Sequence, residues 1–399
     1  MESSYQTLLA TKLNPSELWL LNLLLMVLQR DKIVKLEQLA QKLPLPILME
    51  SCRRKLQRFL SFKHWVIEHI WWPLLLDWLK RKFTTQTVLY LAIDRTQWYD
   101  YNLILVSLIY HNRAIPVKFA LLNKRGSSNY EEQITFLKPV LELLSDYTVV
   151  LLGDREFCGV DLAKWLGEQG AYMALRLKKN EYIELPGQTQ AQLSQLGIQA
   201  GESHFFSDVK VTKTKGFGPI NVAARRKRNY GSNVTKETWY IMSNLTDLDG
   251  VLKAYSCRMG IEEMFRDWKK GGYNLEDSKL TGKRFISMAL LVSLAYYMAT
   301  FKGEKMQHQN IHQYVVRPRE AGRKHRRHSA FAIGLSAYSL ACFGLDLWDL
   351  IAQYIVLKPR KLSFYKRGIR AIKLIIAESY TPMSPRQLVM THFLTDDKP

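Results

Sequence analysis

The sequence predicts a mixed α/β fold: an α/β core interrupted by a β-strand insertion, with helical regions at both ends. Two observations predict it. Between residues 87 and 177, short apolar, β-rich runs alternate with amphipathic segments of helical period. From about 180 to 247 the chain instead alternates apolar and polar side chains between turn residues, the pattern of exposed antiparallel strands. A chain of 399 residues, 47% of them hydrophobic, has length for two or three domains and can bury a substantial core. The expected division is a helical N-terminal region over 1–82, a first core part over 83–178, the β insertion over 179–248, a second core part over 249–305 and a basic helical region over 306–399.

Residues 1–82 read as helices. Within them VKLEQLAQKLPLPILMESCRRKLQRFLS holds a short amphipathic piece, a Leu-Pro-Leu-Pro break, and a longer piece carrying Arg53, Arg54, Lys55 and Arg58. This is compatible with a helix-turn-helix docked on DNA, and equally with a helical hairpin whose basic face is solvated. TVLYLAID, NLILVSLIY and AIPVKFALLN then read as three consecutive strands of a meander. A helix follows over Tyr130 to Leu144, with Pro139 as a candidate kink. TVVLLGD is a fourth, buried strand, VDLAKWLGEQ a helix and AYMALRL a fifth strand. Three strands, helix, strand, helix, strand is the order of a ribonuclease-H-like core. ESHFFSDVKVTK, PINVAARRK and ETWYIMSNL supply the insertion strands, and helices run from there toward the C-terminus.

Asp94 closes the first apolar run and Asp154 the fourth, where an open α/β sheet places its functional groups. Either alone reads as a turn former or as the partner of the adjacent Arg95 or Arg155. In this topology the two strands are parallel neighbours, so both carboxylates are expected at one spot, a site suited to hard divalent ions. A third carboxylate is required. Residues 254–270 supply one if they form a helix stopped by Gly271 and Gly272. At about 100° per residue, Tyr255, Arg258, Glu262 and Lys269 fall within about 60° of arc. Ala254, Cys257, Ile261, Met264, Phe265 and Trp268 fill the adjacent arc of about 100°. The polar stripe therefore borders the packed face, with Glu262 on it and Glu263 turned toward solvent. An Arg258–Glu262 ion pair on a plain core helix explains that pair and leaves Lys269 without a reason. A carboxylate with an Arg and a Lys ranged beside it suits phosphodiester chemistry, because the metal needs anions and the nucleic acid strand needs cations.

The charge agrees. Lys and Arg number 57 against 36 Asp and Glu, a net charge of +21, and such a surface attracts a polyanion, by default nucleic acid. A ribosome-associated or membrane-surface protein is the plainer alternative. The cluster RPREAGRKHRRH, with six Arg or Lys in twelve residues, reads as a phosphate-binding arm or as a solvated charge run. Cys52, Cys158, Cys257 and Cys342 have neither zinc-ribbon nor disulfide-scaffold spacing, which fits a reducing compartment. No secretory signal pattern opens the chain, and a cytoplasmic, nucleoid-associated protein is expected. Phe285 to Phe301 sits at the lower length limit for a membrane span, and its Ser, Tyr and Thr content favours a buried core helix. His308 and His312 have i, i+4 spacing without a protease-like Glu, and there is no G-x-x-x-x-G-K-[ST] phosphate loop.

The spacing Tyr255, two residues, Arg258, three residues, Glu262, six residues, Lys269 resembles the Y-(2)-R-(3)-E-(6)-K signature of bacterial DDE transposases of the insertion-sequence-four type. LAIDRTQW and LLGDREF resemble that family's first two acidic motifs, and the resemblance spans about residues 85 to 300. It implies that Asp94, Asp154 and Glu262 hold two Mg²⁺ ions, with Mn²⁺ as a substitute, and that Tyr255, Arg258 and Lys269 grip phosphates near the transposon end. It also implies that Trp239 supports a flipped base during hairpin formation, although a Trp in a strand is more often core. The expected activity is cut-and-paste transposition on double-stranded DNA, that of terminal inverted repeats and of the target, by a homodimer without membrane attachment. The alternatives are a ribonuclease-H-like endonuclease without strand transfer and a non-catalytic DNA-binding protein derived from a transposase.

Overall fold

The computed structural model describes residues 2–98, 101–111, 113–228, 237–269, 271–317, 319–322 and 327–377. In chain order these form α1 (Glu2–Ala10), α2 (Pro15–Asp31), α3 (Leu36–Lys42), α4 (Met49–Phe59) and α5 (Trp72–Lys82). Strands β1 (Val88–Trp98), β2 (Tyr101–Tyr110) and β3 (Arg113–Leu122) follow, then α6 (Tyr130–Leu143), β4 (Thr148–Gly153), α7 (Val160–Glu168) and β5 (Tyr172–Arg176). Next come β6 (Tyr182–Glu184), β7 (Ala191–Gln192), β8 (Ser203–Val211), β9 (Phe217–Arg225) and β10 (Trp239–Ser243). The helices α8 (Leu248–Cys257), α9 (Met259–Trp268), α10 (Gly282–His308), α11 (Ala330–Ala341), α12 (Gly344–Tyr354) and α13 (Pro359–Ala377) complete the order. The chain divides into two compact units, one comprising Asp77–Arg266 and the other the segments on either side of it.

The Asp77–Arg266 unit is built on one ten-stranded sheet of order β3-β2-β1-β4-β5-β10-β9-β8-β6-β7. The meander β1–β2–β3 is antiparallel, while β4 lies parallel to β1 and β5 parallel to β4. β2 is buried without interruption from Asn102 to Leu108, so both of its faces are covered, as expected where the sequence is a continuous apolar run rather than an alternation. The α6 crossover starts on a reciprocal cap: the Asn129 side chain accepts from Glu132 N and the Glu132 carboxylate accepts from Asn129 N, an N-x-x-E box. Pro139 lies inside α6 without ending it.

The strands of the 180–247 segment do not make a sheet of their own. β10 pairs antiparallel with β5, Ile241 opposite Arg176, and carries β9 and β8 behind it. Their alternating pattern is consistent with membership of an extended sheet, because β10 is buried from Tyr240 to Ser243 and β9 at Val222 to Ala224.

The second unit is helical. Its centre is α10, the one helix among the described residues long and apolar enough to cross a membrane, with 89% of its apolar window buried inside the protein. It crosses α11 at two glycines. A Cβ on Gly303 would lie 1.8 Å from Ala330 O, and one on Gly334 would lie 1.8 Å from Ala299 O, so the two backbones touch where no side chain fits. His308 ends α10 and His312 falls in a separate 3₁₀ turn, so the two imidazoles do not share a helix. In the basic cluster, Arg323, Lys324, His325 and Arg326 lie outside the described residues.

Candidate active site

The last register pair between β1 and β4 is Ile93 with Gly153, so the next residue on each chain is an aspartate. This is the physical reason that two carboxylates 60 positions apart in sequence are neighbours: the β1–β4 ladder stops at one level, where β4 ends. β1 itself runs on to Trp98 against β2, with Asp94 opposite Leu105, so Asp94 lies within its strand and does not close it as the sequence predicts. Gly153 makes the turn possible. A Cβ there would stand 2.8 Å from Phe157 Cβ and 3.0 Å from Leu175 Cδ2. Beyond it, Asp154 accepts from Glu156 N at 2.9 Å through Oδ1, and Phe157 N donates to Asp154 O at 3.0 Å. Asp154 is thus a turn former as well as a strand-end carboxylate.

The third carboxylate arrives on α9, which packs closely on the meander. A Cβ on Gly260 would lie 3.2 Å from both the Arg113 carbonyl carbon and Ile109 Cδ1, and Ser107 Oγ lies 3.7 Å from Met264 Sδ. The expectation of a single helix over 254–270 needs correction. The helix breaks at Arg258, where Arg258 N donates to Tyr255 O and Ile261 N to Arg258 O, both bonds spanning three residues instead of four. α8 and α9 are therefore separate helices meeting at Arg258, and the polar stripe drawn on one continuous wheel is not the geometry of the chain.

Arg258 occupies the centre of the site. Its Nη1 donates to Asp94 Oδ2 at 2.9 Å and its Nη2 donates to Glu262 Oε1. Glu263, by contrast, pairs with Arg266 and, at 3.5 Å, with Arg113, so it is not simply solvated. Asp94 is mostly buried, and its second oxygen accepts from Arg95 N at 2.7 Å. Burial raises its pKa to about 6, with the carboxylates of Asp154 and Glu262 adding to the rise and the Arg258 guanidinium opposing it. The Arg258 guanidinium is itself held above its ordinary pKa by Tyr255, Asp94, Glu262 and Asp154, against the opposing effect of burial. Three carboxylates and one guanidinium thus act on one another in a partly dry pocket.

Tyr255 and Trp239 belong to the same neighbourhood. Their rings meet edge to face at 5.1 Å, and Lys227 Nζ stands 4.3 Å from the centre of the Trp239 ring. Burial pushes the Tyr255 hydroxyl above its ordinary pKa. Lys269 follows α9 in the helical unit, and its ammonium faces Glu276 at 3.6 Å.

Sequence reasoning missed a second layer. Arg95 does not pair with Asp94, and Arg155 does not pair with Asp154. The Arg95 guanidinium goes to Glu156 at 2.8 Å and to Asn102 Oδ1 at 2.8 Å, and Arg155 goes to Glu237 at 2.7 Å. The signal was present, since Arg95 and Glu156 stand within the two acidic motifs, but nothing in spacing says that two residues 61 apart will meet.

Three carboxylates are the donor chemistry for a hard divalent ion. Among the described residues no three or more His, Cys, Asp or Glu side chains close around a common point. The positive charge that Asp94 and Glu262 require is supplied by the guanidinium standing between them. The donor set fits a cation, and Arg258 occupies a cation's place in it.

No curated protein matches this sequence. The cryo-electron microscopy structure of the piggyBac transposase synaptic complex with hairpin DNA aligns over 94% of this chain and 79% of that chain, at 11% identity and a TM-score of 0.39, too loose a likeness to carry an argument. Residues 104–299 match the family described as transposase DDE domain, a span that holds Asp154 and Glu262, and this match supports reading the chain as a DDE transposase.

Proposed function

We propose that this chain is a cut-and-paste transposase of the insertion-sequence-four type, with Asp94, Asp154 and Glu262 as its catalytic carboxylates on a ribonuclease-H-like core. The observation that carries the reading is that Asp94 of β1 and Glu262 of α9 share the Arg258 guanidinium, with Asp154, just past the end of β4, near enough to act electrostatically on both Asp94 and Arg258. The strand order β3-β2-β1-β4-β5, with two crossovers through α6 and α7, supports the core assignment. The transposase domain match supports DNA as partner and a divalent metal as cofactor.

In this reading Asp94, Asp154 and Glu262 would hold two Mg²⁺ ions, which would supply stabilisation of the charge that develops in phosphodiester displacement. Arg258, with Tyr255 beside it, would be the cation placed to hold a phosphate of the transposon end. Trp239, reached edge-on by Tyr255, offers a face for an unstacked base. The products are a free 3′-hydroxyl at the transposon end, a hairpin intermediate, and finally joining to target DNA by a homodimer in the cytoplasm. Lys269 and the basic C-terminal cluster contribute phosphate contacts, and the helical N-terminal region over 1–82 binds DNA.

The test uses DNA carrying the inverted repeats that flank the coding region. The wild-type protein is expected to nick it in Mg²⁺ and to join the end to a target plasmid. Asp94→Asn, Asp154→Asn and Glu262→Gln should each lose cleavage by at least a thousandfold while keeping DNA affinity within about threefold. A fully cleaving Glu262→Gln protein would refute the assignment, and cleavage without joining would reassign the chain as an endonuclease.

A further inference from the structure

Behind the three carboxylates lies a hydrogen-bonded clasp made by the residues next to them. The Arg95 Nε–H reaches both oxygens of Glu156, at 3.0 and 2.8 Å, and its Nη1 donates to Asn102 Oδ1 at 2.8 Å. Glu156 Oε1 also accepts from Ser128 N and Ser128 Oγ, each at 2.9 Å. Asn102 Nδ2 donates to the carbonyls of Lys124 and Gly126, both at 2.8 Å. The clasp therefore ties together the second half of β1, the start of β2, the loop after β3 and the turn after β4.

Its backbone atoms face the site. Arg95 N donates to Asp94 Oδ1 at 2.7 Å, and Glu156 N donates to Asp154 Oδ1 at 2.9 Å. Each member of the ion pair thus holds one of the two aspartates by its N–H while its side chain holds the other member. We propose that Arg95 and Glu156 are positioning residues that fix the separation and orientation of the Asp94 and Asp154 carboxylates. The inference rests on the reading of those two aspartates as the metal-holding pair.

Two alternatives fail on the same contacts. Glu156 is not a fourth ligand, because both of its oxygens are already committed to donors and its side chain is only 11% exposed. A purely stabilising role is a weak reason for such a pair, since the desolvation of two buried charges offsets most of their attraction. The clasp also adds no net charge to a pocket already crowded with carboxylates. What it does supply is geometry, and partners standing behind ligands commonly change metal affinity 10–100-fold.

The experiment measures Mn²⁺ binding by water-proton relaxation on the full chain without DNA, beside thermal melting and Mg²⁺-dependent cleavage. Arg95→Gln and Glu156→Gln are each expected to weaken Mn²⁺ binding at least tenfold and to raise the Mg²⁺ concentration for half-maximal cleavage in parallel. The double variant should be no weaker than the singles, because either change opens the same clasp. Arg95→Lys and Ser128→Ala disturb the network least. They are expected to fold as the wild type does and to lie between it and the Gln variants, so the test survives if a Gln variant fails to fold. Asp154→Asn is the reference. Unchanged Mn²⁺ affinity in the Arg95 and Glu156 variants, with affinity lost in Asp154→Asn, would overturn the clasp while leaving the catalytic reading intact. Unchanged affinity in Asp154→Asn as well would remove the catalytic reading and the clasp with it.

Discussion

Asp94 is a carboxyl group that the fold works against. Its pKa of about 6, raised from 3.8 chiefly by burial, means that between those two values the folded chain holds a proton that the unfolded chain has released. Stability therefore falls as pH rises through that window and stays low above it, by an amount on the order of 3 kcal/mol. Asp94→Asn removes the titration. In buffer with chelator it should unfold at higher urea than the wild type at pH 7.5, by about 1–3 kcal/mol, and the gap should close toward pH 4. Adding Mg²⁺ should raise the wild type and not the variant. A gap of the same size at both pH values would mean that Asp94 is not a strained carboxylate. On the proposed reading the cost makes sense, because a group held ready for a cation is poorly placed without one.

Helices and strands show where backbone contact replaces side chains. Gly334 on α11 meets the Ala299 carbonyl of α10 with no room for a Cβ, whereas Gly167 on α7 has open space around the same position. The two glycines should respond oppositely to alanine. Gly334→Ala is expected to lose about 2 kcal/mol or more through overpacking, and Gly167→Ala to gain up to about 1 kcal/mol by restricting the unfolded chain. Thermal melts of both decide it, and equal effects would contradict the close crossing. The same scale shows what sequence could and could not convey. β1 to β5 were legible because strands covered on both faces must be apolar on both, and Asp94 and Asp154 stood out because the apolar runs stop at them. The attachment of β10 to β5 was not, since pairing partners across a sheet leave no local trace. Nor was the break at Arg258: its neighbours keep helical spacing, and only the close seat of Gly260 on the meander marks the spot. The Arg95–Glu156 clasp joins residues far apart in sequence and so has no period to reveal it.

For the molecule as a whole, the governing quantity is the net charge of +21. If that charge serves phosphate binding, affinity for DNA must fall steeply with salt, because each neutralised phosphate releases counterions. A chain using six to ten phosphate contacts loses about 10³–10⁵ in affinity between 50 and 200 mM salt. Part of that response is assigned to the run Arg225, Arg226, Lys227 and Arg228 at the end of β9, where Lys227 and Arg228 are exposed and Lys227 lies over the Trp239 ring. Replacing Lys227 and Arg228 together by Gln should reduce the slope of log affinity against log salt by about 2, and weaken binding alike on inverted-repeat and unrelated DNA. Fluorescence anisotropy over a salt series in chelator measures both. An unchanged slope in the double variant would move the DNA path away from this end of β9. A shallow slope in the wild type would mean that the excess of basic residues faces something other than a nucleic acid backbone.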